Sequence, residues 1–120
     1  METLREIRFD DKDLFLKDNI VKTSILPQGS KDLKRNIKVQ SNTIFEGSVF
    51  GYNIDIDDGS VVFKGAVFAN KELHVGTSMS GFVRFNKAVA SAESIAALIV
   101  SGRVIFGSDV NAPSVRLKNC

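Results

Sequence analysis

Four stretches of nine residues repeat one pattern: TIFEGSVFG at 43–51, VVFKGAVFA at 61–69, VRFNKAVAS at 83–91 and VIFGSDVNA at 104–112. Their phenylalanines, Phe45, Phe63, Phe85 and Phe106, stand 18, 22 and 21 residues apart. Each is followed four residues later by a valine: Val49, Val67, Val89 and Val110. A third apolar segment then follows, NIDI at 53–56, ELHV at 72–75, ALIV at 97–100 and SVRL at 114–117, and NIKV at 36–39 precedes the first phenylalanine. Three short alternating segments in about 18 residues describe one coil of a β-solenoid, with three faces of about six residues each. The expected fold class is all-β: a three-faced β-helix of four to five coils over 36–120.

Alternation along a strand assigns the side chains. Thr43, Phe45, Val61, Phe63, Val83, Phe85, Val104 and Phe106 point inward. Coils stacked ~4.8 Å apart would line the four phenylalanines into a ladder. Each ring would contribute on the order of 1.5–3 kcal/mol from area removed from water. No coil buries its apolar side alone, so stability is a sum over neighbours. Gly47, Gly59, Gly65, Gly81 and Gly102 fall near segment ends, where the chain must turn. The longer spacings place extra residues at GTSMSG (76–81) and SAESIA (91–96). Both read as corner loops, with a helical turn at SAESIAA as the alternative for the second.

Charge is unevenly divided. Residues 1–35 hold 15 of the 30 charged side chains, 8 basic and 7 acidic. A boundary is therefore expected near LPQGSKDLKRN (26–36), dividing a charged N-terminal segment, 1–35, from the solenoid domain, 36–120. The stretch DLFLKDNIVKTSIL has no clean period and reads as a strand pair, a capping segment or a tail. The net charge of +2 is small and the signs alternate, which leaves no polyanion-binding patch and no nucleic-acid partner.

Little in the chain points to catalysis. Hexapeptide-repeat acyltransferases and γ-class carbonic anhydrases need histidines at coil interfaces, as base or as zinc ligands. Here the single histidine, His74, sits between Leu73 and Val75 and points outward. One histidine and one cysteine, Cys120, leave no His/Cys zinc set and no disulfide. The DIDDG cluster at 55–59 lacks the spacing and distal glutamate of a calcium loop and reads as a turn. No nucleotide motif and no GxSxG elbow occur. The expectation is a protein without catalytic, cofactor-binding or metal-binding residues. The apolar run IAALIV (95–100) is far shorter than the ~18–20 residues of a membrane span, and METLREIRFDDKD does not read as a signal peptide. A cytoplasmic location is expected.

The repeat grammar of GSVFGYNIDIDDGSVVFKGAVFANKELHVG and LIVSGRVIFGSDVNAPSVRL resembles that of the bactofilins, bacterial polymer-forming cytoskeletal proteins. The resemblance implies a right-handed three-faced β-helix that polymerises end to end without nucleotide and acts as a scaffold. It also implies peripheral membrane contact through N-terminal tails in some members, for which these residues give no support of their own. This chain departs from the pattern in its irregular coil lengths, its few coils and its long charged N-terminal segment.

Two places are left over once stacking is satisfied. A solenoid exposes unpaired strands at its ends, which must be capped or paired. Self-association is expected at Ile37 and Val39 on the N-terminal edge and at Val115 and Leu117 on the C-terminal edge. The chain stops on the third face of a coil, so that end either meets another subunit or continues in a longer solenoid. The outward positions Ile44, Val62 and Ile105 on one face, and Phe50 and Phe68 on the next, form apolar stripes. They suit a protein-binding surface or coverage by residues 1–30. The third face carries Lys38, Asp55, His74, Ile99 and Arg116. A self-associating scaffold is the first expectation, and a monomeric or dimeric protein-binding module is the second.

Overall fold

A computed structural model describes residues 1–76, 81–92 and 97–118. Its alternating segments form parallel strands that wind into a β-solenoid of about five turns. The first face is a six-stranded parallel sheet. Its strands, in stacking order, are β1 (Glu2–Leu4), β3 (Asn19–Val21), β5 (Ile44–Phe45), β7 (Val61–Phe63), β9 (Val83–Phe85) and β12 (Val104–Phe106).

The second and third faces share one branched sheet. Its strands β6 (Val49–Asp58) and β8 (Val67–Gly76) are each ten residues long and turn the corner between the two faces. The register slips between Gly51 and Asn53, where Asn53 pairs with Glu72. A bulge of this kind bends a strand without ending it. On the second face β10 (Val89–Ser91) and β13 (Val110–Asn111) extend the stack. On the third face the order is β2 (Leu14–Lys17), β4 (Ile37–Gln40), β6, β8, β11 (Leu98–Ser101) and β14 (Val115–Lys118).

The core follows the expected alternation. Phe45, Phe63 and Phe85 are fully buried. The rings stack face to face: Phe45 on Phe63 at 4.6 Å, Phe63 on Phe85 at 5.0 Å and Phe85 on Phe106 at 5.3 Å, with interplanar angles of 1°, 6° and 7°. Inward Thr43 is also buried and donates its hydroxyl to the Gln40 carbonyl at 3.1 Å, so its polar atom is satisfied.

The expected boundary near residue 36 is not where the solenoid starts. Residues 1–35 supply β1, β2 and β3, and Val21 continues the phenylalanine column by pairing with Phe45. Ile25 adds a bridge to Val49, reinforced by its N–H donating to the Ser48 carbonyl at 2.8 Å. The 26–36 stretch is an insertion between faces that contains one short 3-10 helix, Ser30–Lys34. The loop expectations at 76–81 and 91–96 fall largely on residues 77–80 and 93–96, outside the described residues. Within DIDDG, residues 55–58 belong to β6, and the chain turns after them through Gly59, at φ +90°, and Ser60 before β7.

Candidate functional site

The end formed by β12, β13 and β14 is open. Among the described residues each of these strands is paired on one side, with β9, β10 and β11 respectively, and is the outermost of its face. Its inward side chains lie over buried partners one coil below: Phe106 over Phe85, Val110 over Val89, Val115 over Leu98 and Leu117 over Val100. Those partners are buried, whereas Phe106 is 37%, Val110 38%, Val115 53% and Leu117 66% exposed. Apolar side chains whose counterparts in the interior coils are buried are here exposed, beside strand edges with hydrogen-bonding capacity. That combination is a template for another β-structure.

At the opposite end β1 and β2 are the outermost described strands, with inward Leu4 and Leu14 partly buried. Between β1 and β2 the chain loops through residues 5–13. Phe9, in that loop, is only 1% exposed and belongs to the core cluster, with Ile7, Leu4 and Leu14 packed partly against it. Leu16, on the outermost strand β2, is 2% exposed. The loop is tight: the Lys12 N–H donates to the Phe9 carbonyl at 2.9 Å, and Asp10 and Asp11 take left-handed backbone angles. It is tied to the next coil where the Asn36 N–H donates to the Asp13 carboxylate at 2.8 Å and the Leu14 N–H donates to the Asn36 carbonyl at 2.9 Å.

Ile37 and Val39, expected at the N-terminal edge, are therefore interior. Their strand lies between β2 and β6, where Ile37 faces Leu14 and Val39 faces Leu16, and both are fully buried. Val115 and Leu117 do lie on an outermost strand. Phe9, which joins the core near the other end, was not singled out by sequence. Its signal is a lone aromatic residue inside a charged run, RFDDKD, where solvation alone would not place one.

Two apolar strips run along the outside. On the first face Ile20, Ile44 and Val62 are aligned in register, Arg84 interrupts them, and exposed Ile105 follows. On the second face Phe50 stacks on Phe68 at 5.3 Å. Together with Leu26, Ala88 and Ala90 they line a shallow, almost wholly apolar depression of about 280 Å³. Exposed Leu26 borders this depression, and residues 1–25 build coils instead of folding over the strips.

Charge occupies the positions between the strips. Lys22 and Glu46 form an ion pair of 2.6 Å between adjacent coils. The Lys22 ammonium hydrogen-bonds the Glu46 carboxyl and holds its pKa below the ordinary value. The third face shows Phe15, Lys38, Asp55, His74, Ile99 and Arg116 in one column, with His74 Nδ1 3.4 Å from Asp55 Oδ1. Among the described residues no group of three His, Cys, Asp or Glu side chains could hold a metal ion, and no helix is long and apolar enough to cross a membrane. No protein-family model matches this chain, and no curated protein or solved structure is significantly similar to it.

Proposed function

We propose that this chain is a non-enzymatic, cytoplasmic structural scaffold of bactofilin-like character that self-associates, without nucleotide, through its open end coil. The observation that carries the reading is the exposure of the core-facing set Phe106, Val110, Val115 and Leu117 on strands that, among the described residues, are paired on one side. Pairing that end with another strand system would satisfy its edge hydrogen bonds and remove the apolar set from water together.

Sedimentation of the full chain across a range of concentrations tests it. A mass that rises with concentration is expected, and Leu117→Glu, which places a charge at the centre of the contact, should leave only monomer. A wild-type chain that stays monomeric throughout would overturn the reading. The apolar depression at Phe50 and Phe68 supports a second reading, a protein-binding module. If association survives Leu117→Glu and is lost in Phe68→Glu, the lateral surface drives it.

A further inference from the structure

The second face carries its outward residues in two columns. One column holds Leu26, Phe50, Phe68 and Ala90 on successive coils, with Phe50 and Phe68 stacked at 5.3 Å. The other lies two residues earlier in each coil and holds Ser24, Ser48, Ala66 and Ala88. The first column stands up as a ridge, and the small side chains of the second leave the apolar depression beside it. Positions two apart on a strand are ~6.6 Å apart, and both columns repeat at the coil spacing of ~4.8 Å. One coil further on, the same columns hold Asn111 and Asp109, so the apolar pair is bounded within the stack. Arg84 breaks the strip on the first face, and charge runs through the column on the third.

A ridge and a groove of equal pitch, side by side on one face, fit a second copy of themselves. A half-turn about an axis parallel to the stack, midway between the columns, sets each ridge over the other copy's groove at the same coil level. Phe50 then meets Ser48 of the second copy, and Phe68 meets Ala66. Large residues face small ones, which is the condition for close packing without voids. A different partner would require a groove alone and gives no reason for a ridge of the same pitch beside it. Resting on the protein-binding reading of this face, and not on the end contact, we propose that a second copy of this chain docks here. The two stacks lie side by side, ridge into groove. The contact uses the same patch on both copies and is therefore self-complementary.

Charge at the rim agrees with the half-turn. Glu46 borders the small-residue side of the face. Lys71 borders the aromatic side, its ammonium 5.8 Å from the ring of Tyr52, on the coil of Glu46. The rotation turns the Glu46 side of each copy towards the Lys71 side of the other, acid towards base. Exposed pairs of this kind add little affinity but favour one orientation. The coils from Leu26 to Ala90, at ~4.8 Å each, and a face of about six residues at ~3.3 Å give roughly 400 Å² per copy, about half the ~800 Å² of a standard interface. The dimer is therefore weak. It stays hidden in dilute sedimentation, where Leu117→Glu leaves monomer, and shows as the concentration nears millimolar.

Sedimentation equilibrium up to near-millimolar concentration, on full chains carrying Leu117→Glu to silence the end contact, reads the lateral contact alone. The mass is expected to rise from 13.1 kDa towards twice that value and no further. Ala66→Phe fills the groove opposite Phe68 and should hold the chain monomeric, although it adds apolar surface. Adding Phe68→Ala to it exchanges ridge and groove on that coil and should restore at least half of the lost association. Circular dichroism checks that each variant keeps its β-structure. If the exchange variant does not fold, Ala66→Phe alone decides the matter. A Leu117→Glu chain that stays monomeric near millimolar, while wild type associates, would overturn the lateral dimer and leave the end contact standing. Monomer in wild type at every concentration would overturn both. Stronger association in Ala66→Phe, the result for an unspecific apolar surface, would overturn the fit of ridge into groove. So would a folded exchange variant that stays monomeric, or a mass that climbs past two copies.

Discussion

Leu16 and Leu117 occupy equivalent inward positions on the third face, one on the first strand of its stack and the other on the last. The first is buried and the second faces solvent. The same residue in the same strand geometry is thus core at one end and surface at the other. At the first end Phe9, from the nine residues between β1 and β2, is buried in the same core cluster as Leu16. In a solenoid, burial depends on whether another layer lies above, and the alternation pattern within a strand does not record that.

Paired substitutions at the two ends sharpen this comparison. The largest effect is expected inside the ladder: Phe85→Ala should cost ~3–5 kcal/mol, because the ring is sandwiched between Phe63 and Phe106 and its loss leaves a cavity. Phe106→Ala, measured on dilute protein, should cost less than half as much, since one side of the ring has no protein layer. Equal costs in chemical denaturation would mean the last coil is covered. Leu16→Ala should cost ~2–5 kcal/mol. Leu117→Ala should change dilute-protein stability by no more than ~0.5 kcal/mol. Comparable losses at both positions would break the contrast between the ends.

The smallest effect concerns the Lys22–Glu46 pair, which joins the N-terminal coils to the remainder. Hydrogen bonding to Lys22 lowers the folded-state pKa of Glu46 below its unfolded value. Its contribution is therefore fully present above the ordinary carboxylate pKa and is lost as pH falls through the depressed folded value. Wild type should melt slightly above Glu46→Gln at neutral pH, with the difference closing in acid. A difference that widens in acid would contradict the pairing.

The coil pattern from residue 36 onward was legible because each coil has a phenylalanine as a landmark and a valine four residues after it. The ladder, inward Thr43 and outward Phe50 and Phe68 all follow from period-two alternation. The first coils lacked that landmark. Val21 and Leu4 stand where the later coils place phenylalanine, and Ile37 lies 23 residues from its partner Leu14 because the 26–36 insertion intervenes. Left-handed Asp18 makes an abrupt break between β2 and β3 that propensity alone does not reveal. The N-terminal edge is accordingly expected at Ile37 and Val39, one strand too far into the stack. The difference between the ends was illegible for another reason: the burial of Phe9 and Leu16 is a tertiary matter that no local pattern records.

The corners carry a consequence of their own. A side chain at Gly65 would collide with the backbone carbonyl of Gly47 one coil below, and one at Gly81 would lie 2.7 Å from the carbonyl oxygen of Gly59. Each glycine is thus constrained by the corner beneath it. Mutational tolerance in this chain should run vertically, with corner positions a full coil apart changing together, while neighbours in the linear sequence drift independently.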